Sequence, residues 1–149
     1  MPTENSELDE FLSTTLARQI KAEETLHNGN VEPRLEMWTT RDPVTVFGAG
    51  VPLKSGSDEV TPAFRWVASL FSNCTAYSFE LIAAGLSGDL AYTVGFEHCT
   101  RSMRGGPAES TVLRVTHVYR RENGDWKIVH RHADVPPIDQ SPPAEAPKT

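Results

Sequence analysis

The second half of the chain alternates apolar and polar residues with a period of two, and this pattern limits the possible folds more than any other feature. It extends from Thr75 to Asp134 and is broken at Gly88-Asp89, Gly105-Gly106-Pro107 and Asn123-Gly124. Period-two alternation is typical of half-buried β-strands, and breaks of this composition are typical of tight turns. The sequence therefore predicts a meander of long antiparallel strands. They are expected around 77–81 and at 90–100, 111–121 and 126–134.

The first half of the chain predicts three helices. Leucine and isoleucine recur at four-residue spacing over 8–20, which is one face of a long amphipathic helix. Pro33 suits the first turn of a short second helix. The third helix begins at either Ser57 or Thr61, and the later start avoids placing Pro62 in the helix interior.

Helices followed by a strand meander are typical of an α+β fold, in which the helices pack on one face of an antiparallel sheet. The sheet must curve around the three helices, and a curved sheet closed by helices encloses a cone-shaped cavity suited to a small ligand. We expect residues 1–135 to form this single domain. Residues 136–149 hold five of the eleven prolines and are expected to be a disordered tail.

Composition argues against several classes of function. The chain has 149 residues, a net charge of -6 and no apolar run near 18 residues, so we expect no nucleic-acid partner and no membrane contact. The acidic N-terminal segment is unlike a secretory signal, and we expect a cytoplasmic protein. Cys74 and Cys99 lack the spacing of metal ligands, and a disulfide between them stays an alternative to two free thiols.

The most distinctive motif is the run from Leu113 to Asp134, in which the hairpin Asn123-Gly124-Asp125-Trp126 precedes Val129-His130-Arg131-His132. This run resembles the last two strands of SnoaL-like, ketosteroid-isomerase-like proteins of the nuclear-transport-factor-2-like superfamily. The hairpin and the residues after it also resemble the association domain of calcium/calmodulin-dependent protein kinase II. The resemblance implies a cystatin-like roll over nearly the whole domain.

The resemblance also implies a small-molecule-binding protein, and with it an isomerase or related lyase that moves a proton on a hydrophobic organic substrate without a cofactor. Because the superfamily includes modules that only bind or oligomerise, a non-catalytic ligand-binding or homo-oligomerisation module is the alternative. The carboxylate base, tyrosine and carboxylic acid of its isomerases have no residue-by-residue counterpart here. At two positions aligned with pocket arginines of the kinase domain, this chain has Val94 and Thr116.

The last predicted strand carries the candidate catalytic residues. Alternation places His130, His132 and Asp134 on the face that also carries the apolar residues of that strand. A carboxylate beside an imidazole fixes its tautomer, and the pair is a minimal general acid and base. Alignment with the kinase domain places Arg114 on the cavity side, where Arg114 or, alternatively, Tyr92 would stabilise an enolate oxygen. Alternatively, the histidines only hold the sheet against the helices and Arg114 pairs with a glutamate.

The register of the last strand decides this assignment. An unbulged strand keeps Lys127 and Arg131 outside and avoids burying their charges, and we predict that arrangement. A one-residue bulge near Asp134 would instead turn Arg131 and Ala133 inward. His-x-His is also metal-ligand spacing, but no compact three-ligand motif includes it, so no metal site is predicted.

Further residues are expected to line the cavity or to meet a second subunit. The aromatic residues in the first half of the chain are expected to form apolar walls of the cavity. If Val94 faces the cavity, as the alignment indicates, the residues on the same face of its strand also face it. The predicted ligand-binding residues are Trp38, Phe47, Phe64, Tyr92, Phe96 and Thr116. Strands 90–99 and 111–119 are apolar on both faces, which predicts a homodimer through the sheet.

Overall fold

Helices form one of the two layers of the protein in the computed structural model, which describes residues 3–138. The helices are α1 (Glu4–Phe11), a π-helical stretch (Leu12–Leu16) that continues it, α2 (Ala17–Leu26), α3 (Glu32–Met37) and α4 (Ser57–Leu70). The predicted tail residues 139–149 lie outside the described residues. α4 begins at the earlier of its two predicted starts, and Pro62 lies inside it. The Ser57 amide donates a hydrogen bond to Asp42 Oδ1 at 3.1 Å, which satisfies one open group of the first turn.

A six-stranded sheet forms the other layer. Its strands are β1 (Thr45–Phe47), β2 (Lys54–Ser55), β3 (Phe71–Ser87), β4 (Leu90–Met103), β5 (Ala108–Glu122) and β6 (Asp125–Asp134), in the order β2-β1-β6-β5-β4-β3. The four long strands are consecutive antiparallel neighbours, as the meander predicts, and β1 adds to β6 in parallel. The predicted α+β roll is confirmed, with an open sheet curved around the helices.

Irregular pairing curves the sheet. The β3–β4 register shifts between Ser72 and Ala76 and again between Leu81 and Ala83. Each shift inserts unpaired backbone into one strand, and such bulges bend a strand and increase its twist.

A further bulge in β6 overturns the predicted side-chain directions. Val118 of β5 pairs with His130, but the next residue, Tyr119, pairs with Ile128, so Val129 is left over. This extra residue reverses the alternation, and Ile128 and Arg131 both face the helices. The prediction of an unbulged strand with Arg131 outside is therefore wrong. The prediction was based on the cost of burying the Arg131 charge. In the structure, the buried carboxylates of Glu97 and Glu23 compensate that charge.

The main core lies between the helices and the concave face of β5 and β6. The Phe11 ring meets the rings of Tyr119 and Trp126 edge-on, with centroids 4.8 and 5.4 Å away. Phe11, Tyr119 and Ile128 are almost fully buried. This packing anchors the long N-terminal helix to the sheet and leaves the other end of the concave face free for a cavity.

The close approach of β3 to β4 depends on a glycine. A Cβ atom at Gly95 would collide with the Glu80 carbonyl oxygen and lie 2.6 Å from Phe79 Cζ. We predict that Gly95→Ala lowers the free energy of unfolding by about 1 to 3 kcal/mol, the usual cost of overpacking. Gly50→Ala is the matched control, because no atom lies within 4 Å of its added Cβ. Denaturant titration of both variants measures the difference, and equal stabilities would contradict the prediction.

Candidate functional site

A cavity of about 480 Å³ lies between the concave face of the sheet and the helices. α4 provides an apolar wall that includes Phe64, Val67 and Leu70, and the loop 48–51 after β1 closes another side. Cavities of this size and composition are typical of sites for small organic molecules. The cavity is not uniformly apolar, because charged side chains from α3, β4 and β6 also line it.

Two buried ion pairs, one between helices and one between strands, are linked to each other behind this cavity. Arg34 of α3 forks onto Glu23 of α2, with N–O distances of 2.8 and 2.5 Å. Arg131 of β6 forks onto Glu97 of β4 at 3.1 and 2.9 Å and also reaches Glu23 at 3.3 Å. All four side chains are less than 10% exposed. Paired, bidentate geometry is the condition under which burial of such charges is tolerated.

Glu97 is held in its charged form by these neighbours. Burial alone would raise the pKa of its carboxyl, but the charge and hydrogen bonds of Arg131 hold that pKa well below its usual range. The Tyr77 hydroxyl donates a further hydrogen bond to Glu97 at 2.8 Å. Glu97 is therefore a carboxylate at neutral pH and a weak base.

A neutral histidine also lines the cavity. His27, the C-cap residue that follows α2, stacks on the Phe71 ring, with the ring centroids 4.8 Å apart. Its Nδ1 lies 2.7 Å from the Glu23 carbonyl oxygen, which can only accept, so Nδ1 carries the proton. Burial lowers the pKa of His27 despite the opposing effect of the Glu23 charge. The ring is thus neutral, with the lone pair of Nε2 available to take a proton.

The residues predicted to be catalytic do not line this cavity. His130, His132 and Asp134 lie on the convex face of the sheet, with Arg114 beside Asp134. The structure does bring them together: Arg114 donates to Asp134 at 2.6 and 2.8 Å, and His132 Nε2 lies 3.9 Å from Asp134. The prediction that they face the cavity is wrong, because the bulge at Val129 reverses the outer half of β6.

Most of the predicted ligand-binding residues also lie elsewhere. Phe64 lines the cavity. Trp38 is buried in the core and meets Phe64 edge-on at 4.6 Å. The remaining four are on the convex face: Phe47, Tyr92, Phe96 and Thr116. The direction predicted for Tyr92, Phe96 and Thr116 followed from aligning Val94 and Thr116 with the cavity, and the register of β4 and β5 places both outside. Phe47 was predicted as an apolar wall, but its ring lies against His130 and His132.

Sequence reasoning missed Glu97, Arg131, Arg101 and His27. A signal for Glu97 was present in the sequence, because Glu97 lies on the same strand face as Ala91 and Gly95, and their small side chains leave room for a cavity. For His27, a position at a helix end is a sufficient explanation from sequence, because a cation there interacts favourably with the helix dipole. Nothing local to the sequence could show that its ring meets β3.

Cys74 and Cys99 are free thiols. Within residues 3–138, no group of three or more histidine, cysteine or acidic side chains is arranged to hold a metal ion. In the same part of the chain, no helix is both long enough and apolar enough to cross a membrane.

Comparison with known proteins gives the family. The model of the SnoaL-like domain matches residues 20–138, which is most of the chain. The chain belongs to the SnoaL-like domain family. A search of curated proteins finds no match.

Solved structures similar to this SnoaL-like domain share its fold. A proposed dehydratase of the NTF2-like family from Streptomyces avermitilis is 22% identical, with a TM-score of 0.69 over 85% of this chain and 96% of that one. A proposed ketosteroid isomerase from Parabacteroides distasonis is 16% identical, with a TM-score of 0.63 over 84% and 88%. The association domain of C. elegans calcium/calmodulin-dependent protein kinase II is 15% identical, with a TM-score of 0.61 over 89% and 98%.

The two buried histidines make the stability of this SnoaL-like domain depend on pH. Burial, and next the Arg131 charge, hold the pKa of His117 well below its ordinary value of 6.5, and burial lowers that of His27. Below pH 6.5 these two histidines bind protons in the unfolded chain but stay unprotonated in the folded protein, so lowering the pH favours unfolding. We therefore predict that the free energy of unfolding decreases as the pH is lowered from 7.5 to 5.5. The decrease should reach up to about 1.4 kcal/mol per pH unit for each histidine.

Denaturant titrations across this pH range test the prediction. His117→Gln removes one of the two rings and should reduce the slope. His98→Gln is the control, because it replaces an exposed histidine and leaves both buried rings in place. A slope that His117→Gln leaves unchanged would contradict the assignment.

Proposed function

We propose that this SnoaL-like protein binds a small, largely apolar organic molecule in its central cavity and transfers a proton on it without a cofactor, as an isomerase or related lyase does. The observation that carries the proposal is the neutral His27 ring at the wall of a largely apolar cavity that arginines also line. A base in such a place is shielded from water and keeps its lone pair at neutral pH.

The proposed chemistry needs a base and a site of positive potential. His27 Nε2 would abstract a proton next to a carbonyl, and its Nδ1–H bond to the Glu23 carbonyl would hold the ring in orientation and favour the imidazolium that forms. The enolate oxygen would be stabilised by the positive field of the arginines that line the cavity, Arg101 among them. Return of the proton to another carbon completes an isomerisation, and loss of a β-substituent completes an elimination.

The family is consistent with this chemistry. The structures that share the fold include the proposed dehydratase and the proposed ketosteroid isomerase. The proposed base, His27, lies at the end of a helix and is proposed from its position and hydrogen bonding in the cavity of this chain.

We predict that the protein accelerates exchange of the α-protons of 2-tetralone for deuterium, measured by NMR in D₂O against buffer alone. His27→Gln should reduce the acceleration at least about a hundredfold, the usual contribution of a positioned base. His132→Gln should leave it unchanged, since His132 lies on the convex face. A loss in His132→Gln instead of His27→Gln would return the catalytic role to the convex face. No acceleration by the wild type would favour the binding-module alternative.

We also propose that the convex face of the sheet joins two copies in a homodimer. Tyr92 and Phe47 of this face are exposed by 45% and 43%, and Val112 by 38%, although all three are apolar or aromatic. His130 and His132 pack edge-on against Phe47, with ring centroids 5.4 and 5.5 Å apart, and extend the same surface. A contiguous patch of this kind on one sheet face is typical of a subunit interface.

Sedimentation velocity tests the dimer. We predict a species of twice 16.4 kDa at micromolar concentration and its dissociation by Tyr92→Asp, which places a charge at the interface. Leu53→Asp is the control, because Leu53 is equally exposed but lies in the loop before β2. A wild-type monomer would contradict the proposal.

A further inference from the structure

Arg101 of β4 is a buried guanidinium without a counterion. It is 5% exposed, it lines the cavity, and it forms no salt bridge with any residue of 3–138. Its Nη1 donates one long hydrogen bond of 3.3 Å to the Glu109 carbonyl, and its Cζ lies 4.8 Å from the centre of the Phe71 ring. Its Nε is enclosed with no hydrogen-bond partner among the described residues.

The unused part of Arg101 is the edge with which arginines bind carboxylates. Arg34 holds Glu23 through Nε and Nη2, and Arg114 holds Asp134 through the same two atoms. In Arg101, neither Nε nor Nη2 has a hydrogen-bond partner within residues 3–138. The pairs of Arg34 and Arg114 thus show that a carboxylate fits this edge, and no carboxylate within residues 3–138 binds it at Arg101.

The charge balance of the interior gives the same result. The buried charged residues of 3–138 are two glutamates, Glu23 and Glu97, and three arginines, Arg34, Arg101 and Arg131. Four of these compensate one another through the two bidentate pairs. Since burial lowers the pKa of His27, that ring adds no charge at neutral pH. One positive charge remains, and leaving it unpaired in a buried site is costly.

We infer that the natural ligand is an amphipathic carboxylic acid whose carboxylate binds Arg101 and whose apolar body lies against α4. The inference rests on the proposed cavity-binding function and adds the chemical class of the ligand. The carboxylate would take Nη2 directly. A bidentate pair would in addition require the guanidinium to rotate over the Phe71 ring, because Nε is enclosed; the guanidinium's one hydrogen bond within residues 3–138 is long.

Arg101 and His27 both contact the Phe71 ring. The His27 ring centroid and Arg101 Cζ each lie 4.8 Å from the Phe71 ring centroid. The proposed base and the proposed carboxylate anchor are therefore neighbours of one ring on the wall of the cavity. Glu97, the acidic side chain that lines the cavity, is already bound by Arg131 and does not compete for Arg101.

A pair of probes that differ only in charge tests the inference. We measure binding of 2-naphthoate and of 2-naphthamide by isothermal titration calorimetry at pH 7.5. The wild type should bind the carboxylate at least about tenfold more tightly than the amide, because a hydrogen bond between two charged groups is stronger than one to a neutral amide. Arg101→Met should abolish this preference and leave the affinity for the amide unchanged.

Three further variants locate the effect. Arg65→Met removes an exposed arginine outside the cavity and should keep the preference. Ala63→Phe fills the cavity from α4 and should weaken the binding of both probes. If Arg101→Met does not fold, as judged by circular dichroism, Arg101→Lys retains the charge without the fork and should reduce the preference.

The outcomes separate this inference from the proposed function. Equal wild-type affinity for the two probes, or a preference that survives in the Arg101 variants, overturns the assignment of a carboxylate ligand and leaves cavity binding standing. Failure of both probes to bind, or binding that Ala63→Phe does not affect, overturns both proposals.

Discussion

The bidentate pair between Arg131 and Glu97 is the interaction on which the rest of the site depends. Arg131 comes from the last strand, Glu97 from β4, and the same guanidinium reaches Glu23 of α2. Glu23 in turn holds Arg34 of α3. Two helices are thereby tied to two strands at the back of the cavity. Removing one partner would leave a buried charge uncompensated, at a cost of about 3 to 5 kcal/mol.

This pair also explains how the bulge at Val129 is tolerated. A bulge costs a ladder hydrogen bond and turns a charged residue inward, and without a partner that would be unfavourable. Glu97 is at the position that compensates Arg131, and the apolar residue Ile128 stays in the core. Local backbone irregularity and long-range charge pairing therefore support each other. The same bulge sends His130 and His132 to the convex face, where they join Phe47.

Most of the buried charges around the cavity are compensated by one another, and this determines which groups remain available to a ligand. The pairs of Arg34 and Arg131 make the back wall rigid and electrically balanced. Against that background, the neutral imidazole of His27 and the buried guanidinium of Arg101, which is unpaired within residues 3–138, are distinctive. A base and a group of positive charge that line one largely apolar cavity are what the proposed proton transfer requires.

The amino-acid sequence by itself determined the strand meander, the helical face of α1 and α2, the α+β class and the family. Period-two alternation, four-residue spacing and turn residues such as Asn123-Gly124 are local, and local conformational preferences decide them. The direction of every side chain beyond Val129 was decided only by the tertiary structure. One extra residue reverses a whole strand segment, and the pairing of β6 with β5 and of Arg131 with Glu97 joins positions far apart in the chain. Such pairings have no local signature, because their free energy exists only once the sheet and the helices have come together.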